Sequence, residues 1–241
     1  MSAILLIETT TKACSVGLSN RGQLIALRET VGLGYSHSSS LTVFIEDVMM
    51  EAGKKASEID AVAVSHGPGS YTGLRIGVSV AKGFCYALDI PLIAIDTMKA
   101  LTKTAIRKMA LNKDLAGPTL KEAVFCPMID ARRMEVYYAL FRQDLLTMQE
   151  TRAEVIDENT FSKLLKEFKI VFFGDGAGKC KIVINSPNAL FLDDVWPSAV
   201  GMVEEAERKF EMGEFVDLAY FEPFYLKDFV AGKPKVKGLY S

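Results

Sequence analysis

Basic residues are in no excess in this chain: 28 lysines and arginines face 30 aspartates and glutamates, a formal charge of -2. A protein that grips nucleic acid alone needs a concentrated basic surface, so any role on RNA has to be shared with a partner. Long apolar runs are also missing. The run at the start, AILLI, has no basic residue before it and is too short for a signal sequence or a membrane span, which places the chain in the cytoplasm by default. Cysteine is sparse. Cys14, Cys85, Cys126 and Cys180 lie far apart with no C-x-x-C pair, a pattern of buried thiols in a reducing compartment rather than of a disulfide frame or zinc site. There are two histidines, His37 and His66, and no G-x-S-x-G elbow, so no nucleophile stands beside a base.

What remains is an ordinary globular composition, 49% hydrophobic and 24% charged over 241 residues, with room for one large domain or two subdomains. Residues 3–27 alternate apolar and polar around polar breaks and predict two or three antiparallel strands, with Asn20, Arg21 and Gly22 as a hairpin turn. Leu41, Phe44, Ile45, Val48, Met49 and Ala52 carry the period of an amphipathic helix that starts near Ser38 to Ser40 and stops at Gly53. Residues 59–67 read as a short buried strand. A helix from Met98 to about Asn112 and a polar loop with Gly117 and Pro118 then lead into AVFCPMIDARRMEVYYALF, a strand, an acid, a turn and a strand.

With an offset of 122, Ile7-Glu8 matches Ile129-Asp130 and Val16-Gly17-Leu18 matches Tyr138-Ala139-Leu140, the pattern of a duplicated hairpin unit. A helix over about 158–168, the strand KIVFFG and a long helix from Pro197 to Met212 complete the second half. The expected fold is α/β, with two similar mixed-sheet lobes: residues 1–100, and residues 101–241 with a final segment that returns to the first lobe. The tail carries Lys227, Lys233, Lys235 and Lys237 and is either a solvated terminus or an RNA contact.

The stretch SHGPGSYTGLRIG, residues 65–77, has the look of a phosphate cradle. It lacks the Walker lysine and hydroxyl, because Leu74 and Arg75 follow the last glycine of G-P-G-S-Y-T-G, and it misses the dinucleotide spacing by one residue. GDGAGK, residues 174–179, is one residue short of a Walker loop. The helix predicted over 72–88 is more telling. Its polar residues Arg75, Ser79, Lys82 and Tyr86 share an arc of roughly 60°. The remaining circumference is apolar, and leaving three or four of those side chains wet would forgo roughly 1.5–3 kcal/mol each. Either the other lobe or a partner protein covers the second face. Gly73 and Gly77, one turn apart, would let another helix backbone approach.

HGPGSYTGLRIGVSVAKGFCYALDIPLIAI, together with LLIETTTKACSVGL, HSSSLTVFIEDVMMEAG, IDARRMEVYYALF and PFYLKD, resembles the TsaB (YeaZ) family nearly end to end. That family is required for threonylcarbamoyladenosine (t6A) modification of tRNA next to the anticodon. The resemblance implies an actin-like ATPase (ASKHA) fold of two ribonuclease-H-like lobes. It also implies a non-catalytic subunit that pairs with a TsaD-like metalloprotein, is joined by a TsaE-like ATPase, and meets tRNA only within the complex. The surface it implies is the helix after the glycines, with Gly73, Leu74, Ile76, Gly77, Val80, Ala81 and Phe84 on the partner, or on a second copy when the chain is alone.

Glu8 departs from the family's I-D-T-S-T, so Glu8, Thr9, Asp130, Gly174 and Gly176 would line a vestigial nucleotide cleft, with ATP or ADP binding not indicated. Thr97 and Leu101 stand where a TsaD-like chain has its metal-binding histidines. His37 is expected as a local cap and His66 in turn geometry or an interface. Asp130, Arg132, Arg133 and Glu135 form a charged hairpin tip, read as a solvated turn or as a contact to tRNA phosphates or to an acidic patch on the partner. The competing reading is a self-sufficient enzyme of the same fold, a small-molecule kinase or a glycoprotease-like peptidase.

Overall fold

The computed structural model describes residues 2–32, 37–111 and 122–227. β1 (Ala3–Glu8), β2 (Ala13–Asn20) and β3 (Gln23–Val31) form an antiparallel meander. After α1 (His37–Glu51) the chain adds β4 (Ala61–Gly67) parallel to β1, then α2 (Tyr71–Leu88) and β5 (Leu92–Asp96) parallel to β4. All six residues of β1 are buried, as a strand covered on both faces requires.

The chain then repeats itself. Following α3 (Thr97–Leu111), the strands β6 (Val124–Asp130), β7 (Glu135–Phe141) and β8 (Thr147–Val155) make a second meander. α4 (Leu164–Glu167), β9 (Ile170–Phe173), α5 (Ala177–Cys180) and β10 (Ala189–Leu192) complete it, and α6 (Val203–Met212) follows. The sheet orders are β3-β2-β1-β4-β5 and β8-β7-β6-β9-β10, the same topology twice. The expected duplication is thus present, with one correction. Leu6 pairs with Gly17 and Met128 with Tyr138, so the second hairpin is one residue shorter and Tyr138 is equivalent to Gly17, not Val16.

One face of the first sheet, with Leu5, Ile7, Val62 and Val64, packs on Leu41, Ile45 and Val48 of α1 and Val78 and Ala81 of α2. The other face, with Ile4, Leu6, Ile93 and Ile95, packs on Met202, Val203 and Ala206. The helix expected to complete the second half therefore lies on the first sheet. It is also shorter than expected: Ser198 Oγ accepts from Val200 N at 3.2 Å in a 3-10 turn, and α6 starts only at Val203. α3 packs Met98, Leu101, Ala105 and Met109 on the second sheet while its Ala100 enters the core of the first.

The helix expected over 158–168 shrinks to the single turn α4. Asp157 Oδ1 accepts from Asn159 N at 2.9 Å and Thr160 N at 2.8 Å, a local turn that competes with helix. The loop with Gly117 and Pro118 and the tail lysines other than Lys227 lie outside the described residues.

Candidate functional site: the glycine-rich turn and its helix

β4 delivers residues 67–73 directly over the β1–β2 loop. A Cβ at Gly69 would fall within 3.0 Å of the Thr10 carbonyl oxygen, one at Gly73 equally close to the Thr9 carbonyl oxygen, and one at Gly77 equally close to Thr9 Oγ1. Real Cβ atoms essentially never come that near. Hydrogen bonds stitch the two segments together. Ser70 N donates to Thr10 O at 2.6 Å, and Thr9 Oγ1 donates to Gly73 O at 2.8 Å. Ser70 Oγ caps α2 by accepting from Gly73 N at 3.3 Å, and Gly67 N donates to Thr97 Oγ1 at 3.1 Å. Three of the N–H groups that a phosphate cradle would offer, those of Gly67, Ser70 and Gly73, are spent on protein. The expectation that Gly73 and Gly77 admit a helix from outside is corrected: they admit the chain's own Thr9.

Glu8 is fully buried. Its Oε1 accepts from Thr10 N at 2.6 Å and from the Thr10 hydroxyl, while Oε2 has no hydrogen-bond partner. Burial raises the carboxyl above the usual range, and the hydroxyls of Ser65 and Thr10 offset part of that rise. The Ser65 hydroxyl also lies 3.6 Å from Met202 Sδ. Thr9 is buried as well. These first-lobe residues of the expected cleft are sealed inside their own loop.

The second-lobe residues do come together. Gly174, at φ 98°, has no room for a side chain beside the Met128 carbonyl, and a Cβ at Gly176 would be tight against Ile129 and Asp130 N. Asp130 N donates to Asp175 Oδ1 at 3.0 Å, and Lys179 Nζ donates to Asp130 Oδ1 and to Glu135 O. Burial would raise the Asp130 carboxyl, but its bonds to Lys179 and Arg132 N and the charges of Lys179 and Lys12 hold it below the ordinary value. Lys12, Asp175 and Lys179 were not singled out in the sequence. Lys179 stands in the near-Walker stretch, the one signal that pointed there, whereas nothing local marks Lys12.

α2 buries Gly73, Leu74, Gly77, Val78, Ala81 and Cys85 against its own sheet. Of the seven residues expected on a partner, Gly73, Leu74, Gly77 and Ala81 therefore face inward. Ile76, Val80 and Phe84 are half-buried, packed on the core shared with Phe44 and Ala52 of the α1 side and with Val216, Leu218 and Phe221. Those last three belong to an extended strap, residues 214–227. Val216 bridges to Leu92, Lys82 Nζ donates to Ala219 O at 3.3 Å and Phe221 O at 3.1 Å, and Phe224 N donates to His66 O at 2.7 Å. Much of the helix's surplus apolar surface is thus covered by the chain itself. Thr72, Arg75, Ser79, Gly83, Tyr86 and Ala87 remain exposed, Tyr86 at 85%. Val43 and Met50 are exposed on α1.

Thr97 and Leu101 are fully buried, one bonded to the glycine turn and the other in the second-lobe core, so neither position fits a metal ligand. His66, the penultimate residue of β4, lies beside a cleft of about 580 Å³ that also holds Asp96, Lys99 and Lys209. Burial lowers its imidazole pKa and Asp96 partly restores it. His37 is the first residue of α1, and its capping role lies outside the described side chains. No helix among the described residues is long and apolar enough to cross a membrane.

Two mixed sheets of identical strand order, joined through a shared helix and flanked by helices, define an actin-like ATPase fold of ribonuclease-H-like lobes. The family model described as "TsaD: tRNA N6-adenosine threonylcarbamoyltransferase" matches residues 34–179. The tRNA threonylcarbamoyladenosine biosynthesis protein TsaB of Escherichia coli (strain K12) is 31% identical, over 95% of this chain and 96% of that one. Its counterpart in Haemophilus influenzae is 27% identical, over 95% of each. The solved structure of YeaZ from Pseudomonas aeruginosa superposes with a TM-score of 0.75 at 27% identity, covering 94% of this chain and all of that one. The chain belongs to the TsaB family.

Proposed function

We propose that this protein is a non-catalytic subunit of the cytoplasmic machinery that makes threonylcarbamoyladenosine on tRNA, docking on a TsaD-like catalytic subunit. A TsaE-like ATPase joins the pair, tRNA is held only by the assembled complex, and the isolated chain pairs with a second copy through the same face. The names of the relatives supply the pathway. The observation that supports the non-catalytic part is the closure of residues 67–73 over Thr9 and Thr10, which ties Ser70 N and the Thr9 hydroxyl to protein acceptors rather than to a nucleotide phosphate.

The docking lobe is built from residues 1–100, with the end of the remaining chain wrapped back onto it. Its face is the outer strip of α2, Arg75, Ser79, Gly83 and Tyr86, flanked by the half-buried Ile76, Val80 and Phe84 and by Val43 and Met50 of α1. Gly73, Leu74, Gly77 and Ala81 shape it from beneath. A Cβ added at the exposed Gly83 meets nothing within 4 Å, so Gly83→Glu is expected to fold normally and to lose the partner in co-purification and the dimer in size-exclusion chromatography. Full assembly by that variant would remove the docking face. Robust turnover of ATP or of a peptide by the purified chain alone would favour the self-sufficient enzyme instead.

A further inference from the structure

The tip of the β6–β7 hairpin holds two arginines in a conformation that arginine rarely adopts. Arg132 has φ 74° and Arg133 φ 50°, both left-handed, where the Cβ of an ordinary residue crowds the following carbonyl. The β2–β3 turn, by contrast, places glycine at its second left-handed position, Arg21 at φ 51° followed by Gly22 at φ 70°. A turn chosen for folding alone would use asparagine or glycine at 132 and 133. Strain of this kind, where the surroundings impose it, marks a side chain retained for another purpose.

The charges around the tip point the same way. Asp130 is engaged by Lys179, and Glu135 by Lys227 at 2.7 Å. Asp175 is turned to Asp130 N. The two guanidinium groups are exposed and have no hydrogen bond or ion pair among the described residues. Lys12, exposed on the β1–β2 loop, acts on Asp130 and Asp175 across the lobe junction. Two exposed arginines at the tip, and exposed Lys12 close enough to act on Asp130, thus stand together in a chain of net negative charge.

We propose that Arg132 and Arg133, with Lys12 beside them, form the surface through which this chain holds the RNA backbone in the assembled complex. The proposal rests on the functional reading above and adds to it the point of RNA contact. Guanidinium forks match phosphate oxygens, and contacts of this kind position an RNA without reading its sequence. Tyr225, two residues before Lys227, packs tilted on Tyr71 with ring centroids 5.1 Å apart, and Gly83, where the assembly variant is made, lies about 18 Å further along α2 from that end.

The test uses the complex with the TsaD-like subunit, bulk tRNA as probe, and fluorescence anisotropy from 50 to 200 mM KCl. The double variant Arg132→Asn/Arg133→Gly relieves the turn, so it is expected to assemble and to melt at or above the wild-type temperature. Losing two phosphate contacts makes the slope of log affinity against log salt shallower by about 1.4 to 1.8. Equal affinity and slope, with the wild-type complex binding tRNA, would overturn the inference and leave the functional reading standing. A variant that melts normally but no longer assembles would assign the tip to a protein contact and overturn it too. A wild-type complex that binds no tRNA would fail the functional reading, and the inference with it.

Discussion

Replacing Gly73 by alanine puts the packing of the glycine turn to a test of sign. Its new Cβ would lie well inside 3.0 Å of the Thr9 carbonyl oxygen. That oxygen is backbone, and the loop that carries it is tied down by Ser70 N to Thr10 O and by Thr9 Oγ1 to Gly73 O, so α2 or the loop must move. Forced overpacking of a tight site costs about 3 kcal/mol at the upper end of its range. Alanine returns about 1 kcal/mol in helix propensity, for a net loss of about 2 kcal/mol. For a chain of this length that is a fall of about 4–8 °C in melting temperature. Gly83→Ala, in the same helix with nothing within 4 Å, gains the propensity alone and should rise by about 2–4 °C. Thermal unfolding of both variants by circular dichroism decides the matter. Were Gly73 kept small for an outside helix, Gly73→Ala would stabilise the isolated chain just as Gly83→Ala does. A rise for both would refute the cradle.

Glu8→Gln reports on the sealed loop. Because burial raises the folded-state pKa of Glu8, its contribution to stability is complete below the ordinary value of 4.5 and is lost as pH rises through the folded value. The urea midpoint of the wild type should fall over that window more than that of Glu8→Gln, and parallel curves would show that Glu8 is not the group responsible. Lys82→Ala removes the ammonium that donates to both strap carbonyls, those of Ala219 and Phe221. Hydrogen exchange over residues 214–227 should quicken while the strands of the first sheet keep their protection, and unchanged exchange in the strap would mean that apolar packing alone holds it.

Much of the fold was legible because its signals are local. Alternation in residues 3–27, the period of Leu41 to Ala52 and the hairpin tip near Asp130 each depend on neighbours within a few positions, and each appears where expected. β5, β8 and β10 were harder to read. β8 and β10 are edge strands of their sheet with mixed exposure, so no clean alternation marks them, and β5 is a short apolar run of a kind that also occurs in buried helices. At the site, the missing Walker lysine and the threonine and leucine at 97 and 101 could be read directly. The purpose of the glycines could not.

Composition and pattern by themselves determined a duplicated α/β chain, a helix with more apolar surface than one sheet can cover, and a glycine turn unsuited to phosphate. Only the tertiary structure decided what fills those spaces: Thr9 beneath Gly73, the strap at 214–227 beside Lys82, α6 on the first sheet and Lys12 near Asp130. The reason is physical. A glycine's missing Cβ records that something approaches closely, but which atom approaches is set by chain closure over dozens of residues, and that information resides in no single segment.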